Sequence, residues 1–531
     1  MQDLISFDLD NSEFKDLIQQ NEGAALVQLM TNVDMICSPL QLYTLLQQES
    51  EYSYLLESVE KEHRHARFSF VGAYPDVVVS ISNRELTLQY CAESQLIDMI
   101  RGTIVSACEI ISDTEGILRA RVKDGQDVLD ALRAVFPTAD GTLLLNGSRF
   151  ERQTFLGGAI GYNGYDMVYD CWLDEVRRFG SNTPDMQFMF TTQTFVFDHM
   201  TDEVYIVVTP PVDRECDTES IYQHSLDSAG QMYDRLVQAS DVDIEAQISA
   251  TPTATAGVES VCSMDQKTYE DAVIRAKQHI VDGDIFQVVV SRRCSITTEQ
   301  SPLELYLTLR TINPSPYMYL FRFKDLSIVG ASPETLMTVF ERRLITNPIA
   351  GTCPRGSSEE EDEEYARRMM GDEKERAEHV MLVDLGRNDV RMVSEGGSVT
   401  VDEFMSVVKY SHVQHIESTV SGQLREECDQ FDATRAIFPA GTLSGAPKIR
   451  AMELINELET TSRGIYGGGV GYYSWNGDVD LAIAIRTAIL EGNVAHVQAG
   501  AGIVADSVPS SEFEETGGKM AAMLSCLGGG Q

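Results

Sequence analysis

The sequence predicts an α+β protein built on large mixed, mostly antiparallel sheets flanked by helices, and three observations predict it. Strand-like alternation recurs between helical patterns. Asn476-Gly477 and Gly492-Asn493 stand where tight hairpins join neighbouring strands. No glycine-rich fingerprint of a dinucleotide fold or P-loop appears in context, which argues against a doubly wound parallel sheet.

In chain order, Val77-Val78-Val79-Ser80-Ile81 and Thr194-Phe195-Val196-Phe197 read as strands, and residues 125 to 135 as a helix. Residues 245 to 260 are small, polar and aperiodic, the composition of a flexible connection. They divide the chain into an N-terminal part, 1–244, without a catalytic signature and suited to binding or scaffolding, and a second part, 261–531. That part opens with a helical stripe of Tyr269, Val273, Ala276 and Ile280, ended at Asp282-Gly283-Asp284 and followed by a strand over Ile285 to Val290. Further strands are expected around 318 to 323, 334 to 340, 467 to 474, 481 to 490 and 494 to 499.

At 531 residues with 43% hydrophobic side chains the chain can supply a substantial core. No apolar run approaches the length of a membrane span and the N-terminus lacks signal-peptide character, so a cytoplasmic address is expected. Ten cysteines show neither metal-ligand spacing nor a close pair, which predicts buried free thiols. A net charge of -41 disfavours nucleic acid and anionic membrane as partners. The run Glu359 to Glu364 reads as a solvated face, and the overall acidity as a trait of life at high salt, where repulsion is screened.

Pro439-Ala440-Gly441-Thr442-Leu443-Ser444-Gly445-Ala446-Pro447-Lys448 reads as an anion-binding loop. It combines glycines, hydroxyls and a cation ahead of a helix with Ile449, Met452, Ile455 and Leu458 on one face. Glu375 with Glu378, and Glu512 with Glu515, are three apart on predicted helices, so each pair shares a face and four such carboxylates could hold a hard cation. In so acidic a chain such pairs also arise by chance. Lys519, one turn after Glu515, is either a helix-face ion pair or an anion ligand. His412 and His415 alternate on a strand, and either could transfer a proton or be structural. Arg486 lies within an apolar strand and needs a partner, for which a carboxylate is a good bidentate ligand.

Ordered motifs then carry a resemblance: Gly283-Asp284-Ile285-Phe286-Gln287, Ser332-Pro333-Glu334, Pro348-Ile349-Ala350-Gly351-Thr352, Lys374-Glu375-Arg376-Ala377-Glu378-His379, Asp384-Leu385-Gly386-Arg387-Asn388-Asp389, the 439–448 loop and Ile483-Ala484-Ile485-Arg486-Thr487. Residues 265 to 525 resemble the chorismate-utilising enzymes, and the whole chain resembles their anthranilate synthase large-subunit branch. The resemblance implies that family's fold and a Mg2+-dependent lyase that turns chorismate and ammonia into anthranilate. Glu375, Glu378, Glu512 and Glu515 would form the Mg2+ region gripping the ring carboxylate. Arg486, Tyr466, Lys519 and backbone near Gly500 and Gly502 would hold the pyruvyl carboxylate, with Thr352 and Thr442 hydrogen-bonding substrate. Glu334 would be general acid to the C4 hydroxyl, and His415 would assist elimination of pyruvate.

Two positions discriminate among relatives. Gln287 stands where water-using isochorismate and salicylate synthases resemble one another in carrying a lysine, and Ala350 stands where aminodeoxychorismate synthases carry a nucleophilic lysine. Both substitutions fit ammonia chemistry and the 2-amino product; 2-amino-2-deoxyisochorismate or the aminodeoxychorismate reaction remains the alternative, and a silent tryptophan-binding protein a third. The resemblance further implies a tryptophan inhibitor site at Ser58, Pro316, Tyr317 and Met318. It also implies an amidotransferase partner that supplies ammonia from glutamine, the two commonly doubled into a heterotetramer. The terminal Ser525-Cys526-Leu527-Gly528 faintly resembles a glutaminase nucleophile motif but reads as a frayed tail.

Overall fold

A computed structural model describes residues 5–58, 67–147, 150–173, 176–244, 246, 260–410 and 413–528. Among these, two large sheets of 13 and 12 strands lie face to face, every neighbouring pair in them antiparallel. Aromatic side chains from both sheets, including Tyr54, Phe70, Tyr162, Phe321 and Tyr472, fill the space between them. Helices cover the outer faces: Pro39–Glu49, Thr218–Ala239, Pro302–Ile312 and Pro509–Cys526 over the 12-stranded sheet, and Val128–Ala134 and Gln430–Ile437 over the other. Strands from before and after residues 245–260 share both sheets, so the two sequence parts build one common core.

The chain folds as a repeat of itself. Ser38-Pro39-Leu40-Gln41-Leu42-Tyr43 matches Ser301-Pro302-Leu303-Glu304-Leu305-Tyr306, and both segments start helices with the same reciprocal capping box. Gly72-Ala73-Tyr74-Pro75-Asp76 matches Gly330-Ala331-Ser332-Pro333-Glu334, and Gly157-Gly158-Ala159-Ile160-Gly161-Tyr162 matches Gly467-Gly468-Gly469-Val470-Gly471-Tyr472. Equivalent residues meet on a local two-fold axis: Leu55 pairs with Leu320 in one sheet, Gly161 with Gly471 in the other. Details repeat as well. Tyr54 reaches over Gly72 to Thr194 Oγ1 at 2.9 Å, and Tyr319 over Gly330 to Thr487 Oγ1 at 2.6 Å.

A third repeated segment, Asp127-Val128-Leu129-Asp130-Ala131-Leu132-Arg133 against Asp429-Gln430-Phe431-Asp432-Ala433-Thr434-Arg435, ties the halves together. Each N-cap aspartate receives a bidentate guanidinium from the opposite helix: Arg133 donates to Asp429 at 2.8 and 2.9 Å, Arg435 to Asp127 at 2.7 and 2.9 Å.

Several expectations need correction. The stretch 481 to 490 is two strands, Val479–Ile483 in one sheet and Thr487–Glu491 in the other, so Arg486 sits at the crossing with φ 49° rather than inside a strand. Ile449 is exposed; Ala451, Met452, Leu454 and Ile455 form the buried face of its helix. Cys262 and Cys294, directly opposed on paired strands, form a disulfide that spacing could not reveal, because strand pairing brought together residues 32 apart. Within the acidic run Asp362 is buried against Arg355, which with the Gly356 N–H holds its carboxyl down at about 2. The tail is not frayed through Leu527: Cys526 and Leu527 are buried in the helix-covered core, while 529–531 lie outside the described residues.

Arg435→Ala is expected to lower stability by about 2 kcal/mol, because it strands the half-buried Asp127 carboxylate. Burial raises the Asp127 pKa, but Arg435 outweighs it and holds the group below the ordinary carboxylate range. The stabilisation is therefore present above that range and lost as pH falls through it. Urea midpoints of wild type and variant at neutral pH and near pH 3 check both statements; equal differences at the two pH values would contradict the second.

Candidate active site

The candidate site lies between the sheets in the second half. Glu334 ends the Ser332-Pro333-Glu334 turn that carries the chain from one sheet to the other, and its carbonyl accepts the Ile483 N–H at 2.9 Å. Its carboxyl is buried and accepts one hydrogen bond, from Thr442 Oγ1 at 2.8 Å. Burial pushes its pKa up to about 7, against the lowering effects of Thr442, Lys519 and Arg486, while Glu417 raises it further. A carboxylic acid that holds its proton near neutrality is suited to general acid work.

His415 sits in the strand Val413–Gln423, opposite Thr352 in the neighbouring strand. Its Nδ1 is 2.8 Å from the Gly351 carbonyl, which can only accept, so Nδ1 carries the proton and Nε2 keeps a lone pair. Burial lowers its pKa, and Arg486 and Lys519 lower it further, against the Gly351 hydrogen bond. Glu334 and His415 therefore have their affinities for protons shifted in opposite directions. His412 lies outside the described residues.

The Arg486 carbonyl accepts the Ala331 N–H at 3.2 Å, but its guanidinium, buried and attracted to Glu334, has no hydrogen bond or ion pair among the described residues and is available to an anion. Tyr466 is buried, with the Gly500 N–H facing its hydroxyl. Lys519 Nζ is engaged instead, by Glu515 at 2.8 Å and the Gly500 carbonyl at 3.0 Å. Gln287 donates from Nε2 to Glu378 Oε1 at 3.1 Å, leaving its own Oε1 buried without a partner. A Cβ at Gly502 would stand 2.6 Å from that Nε2, so a side chain there would displace the amide from its present place against Glu378.

Glu375 and Glu378 share the helix Glu373–Arg391, and Glu512 and Glu515 the helix Pro509–Cys526. Burial and then Glu378, Asp372 and Glu515 raise the pKa of Glu375, and burial and then Glu515 raise that of Glu512, against Ser507, Lys374 and Lys519. No three acidic, His or Cys side chains converge on one point among the described residues. The donor chemistry nonetheless fits a hard cation, since carboxylates that repel one another are what such an ion relieves.

The loop expected to offer a free cation does not. Lys448 is buried, donating to Asp389 at 2.6 Å and to the Ile437 carbonyl at 2.9 Å, so the loop serves through Thr442. Sequence reasoning missed Asp389 as its partner although the Leu385-Gly386-Arg387-Asn388-Asp389 motif was in hand; nothing local signals a pair 59 residues apart.

A separate cavity, of about 60 Å3, opens beside the local two-fold axis, and Ser58, Pro316, Tyr317 and Met318 all line it. Its walls also include Phe70, in the Arg67-Phe68-Ser69-Phe70 segment that the resemblance places at the inhibitor site, and Arg152, Tyr472 and Asp480, which the sequence did not single out. Ser58 Oγ and Tyr472 Oη are buried there without a described partner, and Tyr317 Oη donates to Asp480 at 2.9 Å.

Comparison with known proteins bears on this arrangement. Residues 144–525 match the family described as chorismate binding enzyme. The chain belongs to that family. It is 45% identical to anthranilate synthase component 1 of Haloferax volcanii, over 98% of this chain and 97% of that protein. It is 46% identical to a component 1 protein of Haloarcula marismortui, over 98% and 96%. The crystal structure of component I from Streptococcus pneumoniae superposes with TM-score 0.66 at 35% identity, covering 92% of this chain and 98% of that one. The expected family and its fold, large antiparallel sheets flanked by helices, are thus established for this member of the chorismate-binding family.

Gly502→Ala is expected to push Gln287 off Glu378 and weaken chorismate binding by about tenfold, or about 1.4 kcal/mol. Calorimetric titration checks it; unchanged affinity would show that the amide has another way to reach Glu378.

Proposed function

We propose that this chain is an anthranilate synthase component, forming anthranilate, pyruvate and water from chorismate and ammonia. The observation that carries the proposal is the opposed tuning of two groups in one family-typical site: Glu334, an acid holding its proton near neutrality, and His415, a neutral imidazole with Nε2 free. Ammonia adds at C2 of the ring while Glu334 gives its proton to the departing C4 hydroxyl, releasing water. His415 then takes the C2 proton as the enolpyruvyl group leaves, and that group leaves as pyruvate once protonated, with the ring made aromatic. Arg486 and Tyr466 orient the pyruvyl carboxylate, and Thr352 and Thr442 the hydroxyl-bearing edge. Glu375, Glu378, Glu512 and Glu515 would hold Mg2+, which supplies positive charge against the ring carboxylate.

Gln287 and Ala350 support ammonia chemistry over its relatives, because neither an amide nor a methyl group can serve as the base or the nucleophile a lysine provides. Component 1 naming among the relatives supports a component 2 partner that delivers ammonia from glutamine, with the pair doubled into a heterotetramer. Among the described residues no helix is long and apolar enough to cross a membrane, in keeping with a cytoplasmic enzyme. The cavity lined by Ser58 and Met318 is the tryptophan inhibitor site in this proposal: apolar walls for the indole, with Asp480 and unpartnered hydroxyls for the polar end.

Chorismate, ammonium and Mg2+ should yield anthranilate fluorescence that chelation abolishes; chorismate consumed without anthranilate would favour the aminodeoxyisochorismate product instead. Glu334→Gln should cut turnover by about 10^2 to 10^4-fold. With rates corrected for free ammonia, kcat/KM should fall as pH rises through about 7, where Glu334 loses its proton. It should fall again below the depressed imidazole range of His415.

Tryptophan should inhibit, and Ser58→Phe, which fills the cavity, should raise the required concentration about tenfold or more. The acidity, 82 acidic against 41 basic residues, is in this proposal an adaptation to high salt. Unfolding midpoints should rise with KCl, and full stability near zero salt would contradict it.

A further inference from the structure

A buried ion pair lies behind the candidate site, and neither partner has a role in the chemistry described so far. Arg463 and Glu459 are 3% and 4% exposed. Glu459 accepts Arg463 Nε at 3.0 Å and Nη2 at 2.6 Å, and also the Ser291 N–H at 2.8 Å and hydroxyl at 2.7 Å. The rest of the guanidinium serves two carbonyls, Leu443 through Nη1 at 2.6 Å and Val289 through Nη2 at 2.8 Å. The group also lies 4.5 Å from the centre of the Tyr165 ring and 5.7 Å from that of Tyr466.

The two carbonyls are informative because of what adjoins them. Leu443 follows Thr442, the single hydrogen-bond donor to the Glu334 carboxyl among the described residues, and Val289 lies two residues beyond Gln287. Ser444, next in the loop, accepts the Val289 N–H at 2.9 Å, so loop and strand are pinned to each other with the guanidinium between them. A buried ion pair contributes little net stability over apolar packing, whereas a planar fork that must satisfy three acceptors at fixed angles constrains geometry closely.

We propose that Arg463, held in orientation by Glu459, is a positioning residue that fixes the Thr442 turn so that its hydroxyl stays on Glu334. The proposal rests on the assignment of Glu334 as the acid. The charged groups facing Glu334 are Arg486 from the sheet crossing, Lys519 from the last helix and Glu417 from the strand that carries His415, and none of them bonds Arg463 among the described residues. Releasing the turn therefore removes one influence from Glu334, the Thr442 hydrogen bond, which stabilises its ionised form.

Arg463→Lys keeps the charge and loses the fork. Its kcat is expected to fall about 10^2-fold, the scale of a misplaced catalytic group, with KM for chorismate changing far less. The alkaline limb of kcat/KM should move to higher pH, since Glu334 without its donor keeps its proton longer. Thr442→Val should move that limb in the same direction, and the double variant should move it no further than Thr442→Val alone. An unmoved limb with a lowered thermal midpoint, or shifts that add in the double variant, would overturn the inference and leave Arg463 a stabilising residue. Should R463K not fold, the isosteric Glu459→Gln supplies the same readout. The assignment of Glu334 is judged separately by E334Q: normal turnover in that variant would sink the assignment, whereas an unmoved limb in R463K with E334Q inactive sinks only the role of Arg463.

Discussion

The pairing of the two halves across the local two-fold axis is the constraint on which the other features depend. At its centre Gly161 faces Gly471, and a Cβ on either would strike the neighbouring strand's carbonyl, that of Gln187 or Asp480. Leu55 and Leu320 make the matching contact in the other sheet. With both pairs in place each sheet runs through both halves without a seam, and the aromatic layer between them is shared. The crossed Asp–Arg pairs at the ends of the repeated helices lock the same relation from outside, each guanidinium reaching from one half to the N-cap carboxylate of the other.

The repeat also explains why the chemistry sits where it does. Asp76 occupies in the first half the place of Glu334 in the second, but Thr192 closes over it with both N–H and hydroxyl on one carboxylate oxygen at 2.9 Å. At the equivalent crossing of the second half the chain carries Ile485 and Arg486, and Glu334 keeps an unbonded oxygen facing a guanidinium that has no described partner. Two copies of one turn thus hold one carboxylate closed over by Thr192 and one, Glu334, that burial keeps protonated near neutrality. The difference lies in a few side chains at a sheet crossing rather than in the fold.

How much of this the sequence disclosed follows from the range of the interactions. Local signals were legible: the helix ending at Gly283, the hairpins at Asn476-Gly477 and Gly492-Asn493, and the face shared by Glu375 and Glu378 are set within a few residues. Motif order identified Glu334, His415 and Arg486, and the structure gathers them. What was not legible depended on pairing between distant segments: Cys262 with Cys294, Lys448 with Asp389, and the crossing at Arg486 that an unbroken apolar run concealed. The repeat was visible in Ser38-Pro39-Leu40 against Ser301-Pro302-Leu303, but substitution elsewhere dilutes it, and it stands out once the strand registers align the two copies.

The same registers indicate how the cavity near the axis could influence the acid. Tyr317 lines the cavity and pairs with Ser332 across a hairpin, and Ser332 begins the turn that ends in Glu334. Its hydroxyl meets Thr335 Oγ1, on the far side of that turn, at 2.9 Å. Asp480, which accepts the Tyr317 hydroxyl proton, belongs to the strand whose Ile483 N–H holds the Glu334 carbonyl. The cavity wall and the Glu334 turn are therefore joined through two hydrogen-bonded strand pairs, one in each sheet. A ligand that shifts Tyr317 or Asp480 would have to move both anchors of the Glu334 turn together, because strand pairing transmits displacement along its register rather than absorbing it. Coupling of this kind requires the ligand to favour one position of the strands over another. At the equivalent place in the other copy Phe323 stands in the position of Ser58 and packs edge-on against Tyr162, at 6.0 Å between ring centres.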